Sequence, residues 1–348
     1  MNGRNKSNTF GKMKKKINWL LILQAWAMLW VVIGHSPLSL DNMPTYVKTL
    51  YDFAYSFHMP LFILVSGFLF QMTRLNHYAK DTIATAWGRQ KWTWGTIIFD
   101  KLKRLGIPFV VFTIIAMVVK SLFPGDMARQ TTISISALVH SVVYPGDGPL
   151  GEMWFIATLL WYFALSPLWK IISRNLSLEI IALIGLLILH FVKFDMNGLL
   201  CIENVAYYAI YFYSGLLFSK YSLVEIFEKR EWLWLGISIV LYPLTRMTGV
   251  DLLPAWCAIV GSTCLALLLD MYLPSSFKSF RDYTYQIFLI SIFVQIAVKM
   301  VYKRVDMPYI GGYLLCIVLG LYVPVLVSVI LEKINWKPLL LCVGLKKK

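Results

Sequence analysis

Apolar runs of close to 20 residues recur from one end of this chain to the other, separated by short polar segments. At 1.5 Å per residue, such a run crosses the roughly 30 Å of hydrocarbon in a bilayer, so each predicts a transmembrane helix. Ten spans are predicted, over about 18–36, 53–72, 106–123, 150–171, 178–194, 199–219, 232–249, 252–273, 283–303 and 309–332. The expected fold class is an all-α polytopic membrane protein. A single membrane domain over 18–333 would lie between basic tails at 1–17 and 334–348. No repeat of fixed period, low-complexity tract or separate soluble domain interrupts it.

Composition agrees with that reading. Of 348 residues, 58% are hydrophobic and 15% charged, against about 25% charged in an ordinary soluble domain. With a mean hydropathy of +0.65, disordered, collagen-like and soluble-enzyme readings fall away. The net charge of +15 would suggest nucleic acid in a soluble chain, but here the charges flank the apolar runs. With the N-terminus inside, 25 of the 33 basic residues fall on the cytoplasmic side. That asymmetry predicts both termini in the cytoplasm of a multi-pass cell-membrane protein with no nucleic-acid partner. Lys299, Lys303 and Arg304 run against it, at the outer end of the ninth span. The basic front at KMKKK is followed by a long apolar run without a small-residue cleavage site, which predicts a retained first helix. The polar stretch 73–105 mixes Arg74, Lys80, Arg89 and Lys91 with Trp87, Trp92 and Trp94, as an amphipathic helix in the cytoplasmic interface would. The five cysteines lack metal-ligand spacing and read as packing residues.

Polar groups inside spans are costly and therefore mark function. His35 and His58 close the outer ends of the first two predicted helices. Glu152 stands at the outer end of the fourth, and Glu203 a turn into the sixth. An imidazole beside a carboxylate suits removal of a hydroxyl proton, because histidine titrates near neutrality. Gln24 precedes His35 by 11 residues, three turns plus 20°, so both side chains face one way along about 16 Å of helix and could line a passage. Lys101, Lys103 and Arg104 in KLKRLGIPF form a basic cluster at its cytoplasmic mouth, suited to phosphates. Trp154, Tyr207, Tyr208 and Tyr211 offer aromatic faces for stacking. The same residues also suit plainer tasks: helix capping for the histidines, the positive-inside bias for the basic cluster, and the interfacial aromatic belt for the aromatics.

Taken in order, these segments resemble the acyltransferase 3 family of integral-membrane acyltransferases, in its fucose 4-O-acetylase-like branch. The resemblance rests on VVIGHS with His35, FHMPLFILVSGFLF with His58, Ser66 and Gly67, KLKRLGIPF with Arg104 and Pro108, GEMWFIATLLWY with Trp154 and Phe155, and DYTYQIFLIS near the end. It implies about ten helices and transfer of an acyl group, most often acetyl from cytoplasmic acetyl-CoA, to a hydroxyl of a sugar or glycan at the membrane. It makes His35 the essential histidine and Arg104 a residue near the CoA phosphates. Two positions differ from the family pattern. Gln24 stands where Arg or Lys is usual, and Ser291 where the late-helix motif commonly ends in His. The expected partners are acyl-CoA, a sugar or glycan acceptor and membrane lipid, with no metal. Two other classes stay open: a glycan or lipid-linked-sugar transporter or flippase, and a membrane scaffold that docks partners through 73–105.

Overall fold

The structure, a computed structural model, describes residues 18–75, 82–85, 88–91, 93–123, 131–193 and 195–345. The tail at 1–17, and Lys80, Trp87 and Trp92 of the interfacial segment, lie outside the described residues. Helices α1 Asn18–His35, α2 Thr45–Thr73 and α3 Trp94–Leu122 come first. They are followed by α4 Ile135–Val143, α5 Trp154–Ala164, α6 Ser166–Ile172, α7 Leu176–Phe191 and α8 Ile202–Lys220. After a single turn at Val224–Phe227 come α9 Glu231–Arg246, α10 Leu252–Tyr272, α11 Thr284–Tyr302, α12 Tyr309–Ile334 and α13 Lys337–Cys342. The described residues are 79% helical, and a short antiparallel hairpin pairs β1 Thr82–Thr85 with β2 Gly88–Lys91.

Each predicted apolar segment is helical, but length and apolarity support fewer crossings than ten. Among the described residues, α1, α2, α3, α10, α12 and the helix Arg281–Tyr302 that contains α11 meet both requirements. The pair α5 and α6, bent by 53° at its break, makes a seventh if taken as one span. The others fall short for physical reasons. Helices α7 and α9 have 16 residues each, about 24 Å at 1.5 Å per residue. Helix α8 has the length, but Glu203, Asn204, Lys220 and four tyrosines dilute its apolarity.

Residues 73–105 also differ from expectation. Instead of one amphipathic helix, the described part is the hairpin and then α3, which starts at Trp94 rather than 106. Lys101, Lys103 and Arg104 therefore lie inside a helix of 29 residues. Pro108 has no N–H to offer the carbonyl four residues back. Over Leu102–Gly106 the helix widens into a π turn, with the Ile107 N–H donating to the Leu102 carbonyl. Such turns frequently mark functional positions.

The chain divides into two compact units, Met1–Val65 with Leu223–Ile330, and Ser66–Ser222 with Leu331–Lys348. In the first, Ala25, Met28, Val31 and Val32 of α1 pack on Phe280, Ile287 and Leu321, and the Trp26 indole donates to Ser262 Oγ at 3.0 Å. In the second, Phe70, Phe163, Tyr162 and Trp169 gather around Phe212. There Glu179, buried on α7, accepts from Lys220 Nζ at 2.6 Å and from Tyr221 Oη, joining α7 to the end of α8. The C-terminal α13 packs on α3 within this unit. Ile180, Ile181, Ile184 and Ile188 of α7 stay exposed, as a lipid-facing surface requires.

Candidate functional site

Helix α1 ends at His35 because Pro37 follows, and the residue before a proline is driven out of helical geometry. This leaves the His35 imidazole, half-buried, on the last turn. Glycine at 34 lets α2 approach: a Cβ there would stand 3.2 Å from the Tyr55 ring and 3.3 Å from Ala54 Cβ. The His35 and His58 rings lie 6.4 Å apart between centroids, inclined by 79°. The Tyr55 ring stands 5.8 Å from His35 and 5.1 Å from His58, with its hydroxyl 3.4 Å from His35 Nδ1.

The two imidazoles are not equivalent. His58 is 1% exposed, and its Nδ1 lies 2.5 Å from the Ala54 carbonyl. A carbonyl only accepts, so Nδ1 carries the proton of that bond. Buried and locked, His58 is a wall of the site, whereas His35 is the accessible imidazole. Tyr55, missing from the sequence reading, had a visible signal: it precedes His58 by three residues and so shares its helix face.

Gln24 lies half-buried on α1, three turns before His35, and the two are neighbours in direction rather than in space. Ser291 is buried on α11, on the face that also carries Gln295 and Lys299 at four-residue intervals.

The basic cluster forms a second site. Asp100 divides its carboxylate between two guanidiniums: Oδ2 lies 3.1 Å from Arg74 Nη2, and Oδ1 lies 3.0 Å from Arg104 Nε. Burial draws the Arg74 guanidinium below its ordinary value, and Asp100 opposes that shift. Lys101 Nζ sits 3.7 Å from the centroid of the Phe163 ring and 5.8 Å from that of Phe70, and Lys103 Nζ sits 4.3 Å from the centroid of Phe99. Quadrupole attraction to these ring faces lets the cations stay within an apolar helix. Asp100 was readable as the i, i+4 partner of Arg104. The recruitment of Arg74 across 26 residues was not.

The aromatic residues group at the other end of α5. Trp154 stacks on Tyr208 at 5.2 Å and 19°. Tyr207 packs 4.2 Å from His190, whose Nδ1 lies 2.8 Å from the Tyr207 carbonyl. Glu152 is half-buried in the short turn Gly151–Met153 ahead of α5. Glu203 accepts from the Met196 and Gly198 amides at 2.6 and 3.3 Å, so its carboxylate closes the turn that leads into α8. Among the described residues, no three His, Cys, Asp or Glu side chains gather as a metal site requires.

The family model described as an acyltransferase domain, Acyl_transf_3, matches residues 17–329. No curated protein and no solved structure matches the chain. The family match takes in both histidines, the basic cluster and the aromatic group, so this multi-pass membrane protein belongs to the acyltransferase 3 family.

Proposed function

We propose that this acyltransferase is a cell-membrane O-acetyltransferase, moving acetyl from cytoplasmic acetyl-CoA to a hydroxyl of a sugar or cell-surface glycan, with His35 as the general base. The observation that carries the reading is the unequal imidazole pair: His35 accessible at the end of α1, held between Tyr55 and a buried His58. With its Nδ1–H directed to Tyr55 Oη, His35 presents an Nε2 lone pair to the acceptor. Nε2 takes the hydroxyl proton, the oxygen attacks the thioester carbonyl, and the C–S bond breaks. The proton passes from His35 to the departing thiolate, giving the ester and free CoA.

Lys101, Lys103 and Arg104 are assigned to the phosphates of the donor, whose charge they complement. Gln24 is given the donor's arm, where its amide offers hydrogen bonds without the charge usual in the family. Trp154 and Tyr207 are given the sugar face, and Ser291 a place near the acceptor. Glu152 and Glu203 are assigned the orienting of a base histidine, a role for which Glu203 would have to give up the Met196 and Gly198 amides.

Incubating the purified protein with labelled acetyl-CoA and a membrane glycan fraction tests the reading. Label on glycan, or slow hydrolysis of acetyl-CoA, supports it. Passage of unmodified glycan across proteoliposomes with no label transfer overturns it in favour of a transporter. A second expectation concerns orientation. Tyr55→Phe keeps the ring contacts but removes the hydroxyl facing Nδ1, so kcat should fall about three- to tenfold, the worth of one neutral hydrogen bond. Its KM for acetyl-CoA should stay unchanged, which initial-rate kinetics would show.

A further inference from the structure

The last carbonyls of an α-helix have no partner within it, and α1 cannot continue past Pro37 to supply one by another turn. Ser36 and side chains from α11 and α12 take up three of them, and the Ser36 amide adds a bond to the Ile33 carbonyl at 3.2 Å. The Val32 carbonyl accepts from Ser36 Oγ at 2.7 Å and from Gln295 Nε2 at 3.0 Å. The Ile33 carbonyl accepts from Tyr313 Oη at 3.4 Å, and the His35 carbonyl from Lys299 Nζ at 2.8 Å. Gln295, fully buried, also donates to Ser36 Oγ at 3.0 Å, which ties the turn to α11 a second time.

Lys299 has an odd place by topology and a sound one by electrostatics. The C-terminal end of a helix carries partial negative charge, and a cation there is favourable. The bond it makes is to the main chain of the residue whose side chain is the accessible imidazole. Among the bonds that hold this helix end, it is the one that reaches the His35 carbonyl itself, and so it bears on the direction of the ring.

We propose that Lys299 is a positioning residue for His35: its ammonium, anchored on α11, fixes the terminal carbonyl of α1 and so aims the imidazole. This rests on the reading of His35 as the base. Misaiming a catalytic group by a fraction of its working distance is costly in rate, while substrate held elsewhere is unaffected.

Lys299→Met keeps the apolar stem and removes the donor, and Lys299→Arg restores a charged donor. In the full-length protein in lipid nanodiscs, two readouts apply. The first is acetyl transfer: Lys299→Met should lower kcat about tenfold or more with KM for acetyl-CoA unchanged, and Lys299→Arg should recover most of it. The second needs no turnover: the rate at which diethyl pyrocarbonate modifies His35, followed by peptide mass, should rise several-fold in Lys299→Met and return towards wild type in Lys299→Arg. Unchanged modification of His35 in Lys299→Met overturns the inference whatever the activity, and so does equal behaviour of the Met and Arg variants. If wild-type protein transfers no label while His35 modification still responds to Lys299→Met, the positioning stands and the acetyl-transfer reading falls.

Discussion

His35→Ala protein is expected to lose label transfer by about 10²- to 10⁴-fold, the usual contribution of a general base, and to remain folded. The two halves of that expectation have separate grounds. The imidazole is half-buried, and its ring neighbours are Tyr55 and His58. Removing it trims a helix end, at about 1 kcal/mol, without opening the core. The bond from Lys299 goes to the main-chain carbonyl and survives the substitution. His58 is a poorer target: with 1% exposure and a bond to Ala54, its removal leaves a void, so activity and stability fall together. Initial rates measured beside thermal unfolding separate the two cases. Full transfer activity in folded His35→Ala protein would remove His35 from the chemistry.

Gly67→Ala should leave little folded protein at all. Helix α2 passes α8 so closely that a Cβ at 67 would stand 2.1 Å from the Phe212 carbonyl oxygen and 3.3 Å from the Leu216 nitrogen. Small residues at crossings are how membrane helices gain close backbone packing, and here the obstacle is backbone, which no rotamer change relieves. Helix α8 has little room to retreat. Phe212 is stacked on Tyr162 at 4.6 Å and packed by Phe70 and Trp169, and Lys220 is tied to buried Glu179. Overpacking against such a surface costs about 3 kcal/mol or more, a large share of a domain's net stability. Gly185→Ala and Gly236→Ala are the matched controls, since nothing lies within 4 Å of a Cβ at either position. The yield of monodisperse protein and its melting midpoint should collapse for position 67 and hold or rise slightly for the other two.

The early helices were readable because their signal is local: an apolar run bounded by Pro37 or by a basic cluster marks a span without reference to the rest of the chain. The start of α3 was misread for a reason that is not local. Lys101, Lys103 and Arg104 look like residues flanking a membrane helix until Asp100, Phe163 and Phe70 are seen to hold them within one, and no pattern in the sequence brings Phe70 and Phe163 to Lys101. Lys299 shows the same limit from the other side. Charge counting could see only that it sat on the wrong face, whereas its partner is a carbonyl 264 residues away. The candidate site was legible in its residue types, His35 and His58, and not in the division of labour between them. That division depends on burial, which a sequence expresses only through packing. The shortfall in spans has the same origin, since an apolar run announces a helix but leaves open how many of its residues stay helical.

Helix α7 carries a last consequence. Its 16 residues present an isoleucine- and leucine-rich flank about 24 Å tall, several ångströms less than unperturbed acyl chains occupy. Too short for an unperturbed crossing, such a helix could stand across a bilayer only where the lipid beside it thins, at a fraction of a kcal/mol for each ångström of mismatch. Chain length in the surrounding lipid is then a variable that would act on the protein without any binding site.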